Sequence, residues 1–229
     1  MVESKQPIRT YGQWWESPEE QVTVPLAAVE KVGLAVLQAG GASAEDAAFL
    51  LDIGLGKAMQ GDYVRGLGRL SGWLRASQRG DLDMRPQMRI LQEKDAVALV
   101  DGGPKALDAL VCRFAMDLAV EKARKYGVGW VSAQASGGIL APYLKRAAAG
   151  DMVAMIFTQA AFPTVAPTGG VAPILGNAPV GYAIPAGRHD PVIVDMAISQ
   201  SSASPVAEAG RRGDQVPSDF ILDREGQPT

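Results

Sequence analysis

A chain of 229 residues, 47% hydrophobic and 21% charged, has the make-up of a globular protein long enough to bury one large core or two small ones. Its 22 Lys and Arg against 25 Asp and Glu leave a net charge of -3 with no basic run, which gives no electrostatic reason to expect nucleic-acid binding. One cysteine, Cys112, excludes an internal disulfide framework; no signal-peptide pattern opens the chain, and no stretch approaches the roughly 18 apolar residues of a membrane span, so a soluble cytoplasmic protein is expected.

Residues 1–22 read as an acidic arm whose Tyr11, Trp14 and Trp15 are expected to dock on this chain or on a partner subunit. Pro25 suits a first helical position, and Val29, Val32 and Val36 predict an apolar stripe ended by Gly40-Gly41. SAED at 43–46 has the form of a capping box and opens a second helix through Ala47, Leu50 and Leu51. GDYVRGLGRL at 61–70 interrupts the helical text, and Leu67, Leu70 and Leu74 carry a third helix toward Arg79-Gly80. The first eighty residues therefore read as an arm plus a helical segment, with 81–229 as an α/β domain.

In that second part MRILQ and AVALV predict a β-hairpin. Asp101-Gly102-Gly103 then turns the chain into a long helix from about Pro104, with Leu107, Val111, Phe114 and Leu118 on one face. Cys112 beside that stripe reads as a core thiol, and Lys122, Arg124 and Lys125 complement the helix dipole before Gly127. VGWVSAQ, MVAMIFTQ and PVIVDMA read as strands covered on both faces, with a helix at 141–149 between the first two. Residues 160–181 are rich in Pro, Gly and Ala and predict a long functional loop.

The glycine pairs at 54/56 and 66/68 lack both the third glycine and the preceding strand of a dinucleotide fingerprint. AVALVDGGPKAL passes from strand to helix N-terminus, where an anion site is conceivable, although a tight turn is the preferred account. One His and one Cys cannot assemble a spaced metal site, and no G-x-S-x-G elbow is present.

Several stretches together resemble the malate/L-lactate dehydrogenase family: GASAEDAAFLLDIGLGKAMQGDYVRGLGRL, ALVCRFAMDLAVEKARKYGVGWVSAQ, APTGGVAPILGNAPVGYAIPAG and PVIVDMAISQ. The resemblance implies an α/β, non-Rossmann fold with a helical N-terminal part and a mixed sheet covered by helices. It also implies NAD or NADP as cofactor, a small carboxylate substrate of the 2-oxo, 2-hydroxy or cyclic imino acid class, and a homodimer. By the same resemblance Arg69 grips the substrate carboxylate, a task suited to a planar bidentate donor.

Arg65 occupies the place of the family's proton-exchanging histidine, and Gly138 that of a second histidine. An arginine cannot act as a base. Tyr63 and Asp62 are possible stand-ins, and Asp195 matches a family aspartate near the reacting centre, with capping of a loop as its plainer role. Ser136, Gly137 and Gly138, Gly176, Asn177 and Pro179, and Asp195, Met196 and Ala197 are the implied cofactor contacts. His189 reads as an exposed turn residue. The family continues beyond the equivalent of LDREGQPT, so a fragment, or a shortened homologue needing a partner chain, is expected. A catalytically degenerate homologue that binds a small anion or a sister subunit is the alternative of another class.

Overall fold

The computed structural model describes residues 22–63, 65–160 and 162–228; the arm's Tyr11, Trp14 and Trp15 lie outside them. Three helices come first. In α1 (Leu26–Ala39) the buried positions are Gly33 and Leu37, whereas Val32 is 61% exposed, so the inward stripe is displaced by a residue from the expected valine row. The cause is close helix packing: a Cβ on Gly33 would stand 2.5 Å from Leu51 Cδ1 of the next helix. That next helix, α2 (Ala44–Ala58), is capped as its sequence predicts, with Ser43 Oγ accepting the Asp46 amide at 3.1 Å.

Residues 61–63 and 65–67 fold as a tight loop against α2 that runs into α3 (Gly68–Gln78). Gly66 explains much of its composition. A Cβ there would come within 2.7 Å of both the Gly54 and Asp62 carbonyl oxygens and 2.9 Å of the Ala58 nitrogen. Leu37, Leu50, Leu51 and Leu70 form the core of this helical part, which continues into Met84, Leu107, Leu110 and Ile139.

The predicted hairpin forms as β1 (Arg89–Lys94) and β2 (Val97–Asp101), antiparallel, with Asp95 at a positive φ of 45° in the turn. The long helix begins later than expected: Pro104 lies in a turn, and α4 spans Asp108–Tyr126. It stops at Gly127, whose φ of 83° suits a residue without a Cβ. Lys122 does more than complement the dipole; it is buried, and its Nζ donates to Glu93 Oε1 and the Asp95 carbonyl, both at 2.7 Å, pinning the hairpin to the helix. β3 (Trp130–Ala133) then pairs parallel to β2.

The helix expected at 141–149 is α5 (Ala141–Ala149). A second sheet, antiparallel, is made of β4 (Ala154–Phe157), β5 (Pro179–Ala186) and β6 (His189–Ala197). β5 replaces the end of the long loop predicted for 160–181, and α6 (Ala203–Arg212) follows β6. The body is thus α/β, with two three-stranded sheets.

The expectation that the apolar strands are covered on both faces is not met. Leu140, Leu144 and Ala148 at and within α5 pack on Ala183, Ala154, Ile156 and Ile193 of one face. Across the other face run the rows Met155–Tyr182–Val194 and Phe157–Val180–Met196, with Met155, Phe157 and Met196 each about 60% exposed. Alternation, hidden in the sequence by apolar residues on both sides, is what the strands show.

Because Gly66 has backbone on three sides, Gly66→Ala should destabilise the protein by about 1–3 kcal/mol through forced separation of the loop from α2. Gly56→Ala, where a Cβ meets nothing within 4 Å, serves as the control. Urea unfolding followed by circular dichroism reads the difference; equal midpoints for the two variants would contradict the packing described.

Candidate active site

The loop before α3 is organised by one buried carboxylate. Asp62, 3% exposed, accepts the Arg65 amide on Oδ1 at 3.0 Å and the Arg65 guanidinium on Oδ2. Arg65 is thereby turned onto its own loop. Arg69, one helical turn further, instead lines a cavity of about 290 Å³ together with Trp73, Asp108, Gly137 and Tyr143. The Arg69 guanidinium carbon stands 5.4 Å from the Trp73 ring centroid, a cation–π arrangement that holds the planar group in place.

The cavity is electrostatically uneven. Burial draws the Arg69 guanidinium down from its ordinary value; Tyr143 opposes this, Arg65 adds to it, and Asp62 opposes it again. A guanidinium so placed stays cationic at neutral pH and is poorly hydrated, which makes it hungry for an anion. Tyr143, 2% exposed, is pushed well up, first by burial, and its hydroxyl donates to the Gly137 carbonyl at 3.3 Å. Asp108 sits at the start of α4 with Oδ2 accepting the Ser136 amide at 3.0 Å. Crowding by the protein raises its carboxyl, against the pull of that amide, although its side chain still meets solvent.

A second cleft, of about 700 Å³, opens between α4, β3, α5 and β4 and shares Gly137 and Tyr143 with the first cavity. Its floor is apolar and bears Cys112, whose thiol burial, followed by the charge of Asp108, pushes up to about 12. That thiol is a packing group, not a nucleophile.

The nominated residues fall into three sets. Arg69, Ser136, Gly137 and Gly138 border one cavity. Gly138 has a φ of 61° with open space where a Cβ would stand, so the backbone there is left-handed and uncrowded. Next to this loop lies the end of the second sheet. The Gly137 amide donates to Thr158 Oγ1 at 3.1 Å, the Thr158 amide to the Pro179 carbonyl at 3.2 Å, and Pro179 pairs with Ala197. Met196, paired with Val180, faces solvent. Asn177 Oδ1 accepts the Ser199 hydroxyl at 2.9 Å, and a Cβ on Gly176 would stand 2.3 Å from the Ala160 carbonyl, so that glycine lets two loops touch.

Asp195 belongs to this set by position, but its Oδ2 accepts the amides of Leu140 and Ala141 at 2.9 and 3.0 Å, tying β6 to the start of α5. The third set stands apart. Arg65 is held by Asp62, Tyr63 is 52% exposed and lines neither cavity, and His189 is exposed opposite Ala186 in the β5–β6 turn. Trp73, Asp108, Tyr143 and Thr158 were not singled out from sequence. Only Trp73, four residues after Arg69 on one helix, carried a local signal. Among the described residues no group of three His, Cys, Asp or Glu side chains converges as metal ligands.

The malate/L-lactate dehydrogenase family matches residues 24–229. An L-sulfolactate dehydrogenase of Methanothermobacter thermautotrophicus is 34% identical over 215 residues, covering 93% of this chain and 60% of that protein. A malate dehydrogenase of Pyrococcus abyssi is 32% identical over 213 residues, covering 92% of this chain and 58% of that protein. The crystal structure of malate dehydrogenase from Entamoeba histolytica superposes with a TM-score of 0.83 at 25% identity, covering 91% of this chain and 58% of that one. The chain therefore spans about 60% of the length of the relatives it matches.

Two amides of the α5 start depend on Asp195, and removing their acceptor should cost about 1–2 kcal/mol in Asp195→Ala. Asp195→Asn keeps an acceptor oxygen and should lose well under half of that. Paired urea titrations check the order; an Asn variant as unstable as the Ala variant would show that the charge, not the cap, is what the fold uses.

Proposed function

The chain belongs to the malate/L-lactate dehydrogenase family, and on that premise we propose that it acts in NAD(P)-linked interconversion of a small 2-oxo acid and its 2-hydroxy acid, or of a cyclic imino acid and its reduced form. The observation that carries this reading is Arg69: a half-buried, Trp73-braced cation lining a cavity of about 290 Å³. That volume lies at the small end of ligand sites, which suits an acid of a few heavy atoms.

Arg69 donates paired N–H bonds to the substrate carboxylate, fixing the adjacent carbon beside the loop at 136–138. Tyr143 keeps that loop in place through the Gly137 carbonyl, and Asp195 holds the following helix start. Trp73, Ile53 and Leu82 line the same space and exclude water from it.

The residues present fit the nicotinamide end of a dinucleotide. The apolar cleft beyond Gly137 and Tyr143 offers a flat ring a dry surface, and the Thr158 hydroxyl and the backbone at 136–138 offer polar contacts at its edge. Asp151 is the one charged side chain lining the cleft among the described residues, so the pyrophosphate has no counter-charge there. When bound, the cofactor supplies or accepts hydride. NAD and NADP are both compatible with this ring-end site.

In fluorescence and absorbance titrations the chain should bind NADH or NADPH and oxidise it with pyruvate or oxaloacetate. Arg69→Lys, which keeps the charge but loses the planar fork, should lower kcat/KM by about 10²-fold while leaving cofactor affinity unchanged. A Lys variant within threefold of the parent would remove Arg69 from the acid site, and cofactor binding without turnover would favour a degenerate, anion-binding homologue.

The reading extends to a cytoplasmic homodimer. What supports a second copy is the uncovered sheet face, since each large apolar side chain taken from water contributes about 1.5–3 kcal/mol. Sedimentation velocity should find a dimer that Phe157→Asp with Met155→Asp converts to a monomer. A monomeric parent would refute this part of the reading.

A further inference from the structure

If Arg65 stands where an imidazole is expected and is held by Asp62, the proton of the reaction needs another carrier. The cavity's own lining narrows the choice. Among the described residues bordering it, the groups with an ionisable side chain are Arg69, Asp108 and Tyr143. Arg69 keeps its protons at any physiological pH. Tyr143 is sealed off, with its hydroxyl directed to the Gly137 carbonyl. Asp108 differs from both. It lines the cavity, still meets solvent, and engages one oxygen, Oδ2, with the Ser136 amide, which leaves Oδ1 as its second oxygen.

We infer that Asp108 exchanges the substrate proton in this chain, delivering it from Oδ1 to the carbonyl oxygen of a 2-oxo acid whose carboxylate is held by Arg69. The inference rests on the reading of Arg69 as the carboxylate grip. In the reducing direction C2 gains a C–H bond and two electrons as hydride from the reduced nicotinamide, the carbonyl π pair moves to oxygen, and the Asp108 O–H bond breaks as the new O–H bond forms. Water at the cavity mouth returns a proton to the carboxylate. In the oxidising direction the same carboxylate takes the hydroxyl proton.

The charged and titratable surroundings of Asp108 favour the protonated state when an acid is bound. Cys112, one turn along α4, and Tyr143 on α5 are neutral neighbours, and Arg69 is committed to the ligand. An anionic ligand beside the carboxyl repels its charged form, while the Ser136 amide and the N-terminal end of α4 favour it. A general acid that begins with an elevated affinity for its proton is suited to work nearer neutrality than an ordinary aspartate.

Calorimetric titration of the whole chain with oxalate, without nicotinamide, tests the carrier separately from turnover. In the parent, oxalate binding should take up close to one proton, seen as a heat that differs between buffers of different ionisation enthalpy. Its affinity should fall about tenfold per pH unit above the Asp108 pKa. Asp108→Asn keeps an oxygen for the Ser136 amide and should bind oxalate with no proton uptake and a flat pH profile. Asp108→Glu should restore the uptake. Oxalate binding with the same proton uptake in the parent and the Asn variant would overturn the assignment of Asp108 and leave Arg69 standing. No oxalate binding by the parent would overturn both.

Discussion

Arg69 reaches its cavity because the chain at Gly66 lies closer to α2 than any residue with a Cβ allows. That contact fixes where α3 starts, and the start of α3 fixes which residue of the first turn faces inward. The buried Asp62 completes the constraint by taking up both the amide and the guanidinium of Arg65. Of two arginines four residues apart, one is therefore consumed by the loop and the other is delivered to the site. The glycine and the aspartate determine this division before any ligand is present.

The site built on that constraint is small and carries few charges. A guanidinium partly removed from water binds an anion more strongly than one on the surface, because less solvent must be displaced and the local dielectric is lower. The same environment is hostile to an unpaired carboxylate. Asp108, at the solvent-meeting border and with an amide on one oxygen, occupies the position where a carboxyl can gain and lose a proton without a prohibitive cost. Tyr143 separates the smaller cavity from the larger apolar cleft and anchors the shared wall through Gly137.

What the sequence discloses follows the range of the forces involved. The α2 cap, the β1–β2 hairpin, the stop at Gly127 and the span of α5 all rest on residues within a few positions of one another, and all are present. β5 is obscured by Gly181 and Pro185, which break the alternation of a strand. Gly181 is there so that Leu144 can approach, since a Cβ would stand 2.7 Å from its Cδ1. Among the described side chains of α6, Ala209 is the buried hydrophobic one, and no apolar stripe announces the helix in the sequence. Lys122, written as a dipole complement, is in fact fastened to the hairpin by contacts across 27 and 29 positions. Arg69 was nominated through a resemblance whose matching residues lie within one loop. Asp108 and Tyr143 were not, because they lie 39 and 74 positions further along the chain and only folding makes them neighbours.

The strands carry one more consequence. An apolar run does not by itself tell that both faces of its strand are covered within the chain. In β4 the residues Ala154 and Ile156 meet α5, while Met155 and Phe157 look outward in register with Val180, Tyr182, Val194 and Met196. Soluble monomers rarely leave contiguous apolar areas of this kind uncovered. On this outer face Met155, Phe157, Tyr182 and Met196 stand beside the valines Val180 and Val194, while the inner face carries the small residues Gly181 and Ala183 that a helix needs to sit close. The two faces of one sheet thus differ in what they meet: one is packed by a helix of the same chain, and the other is left exposed by it.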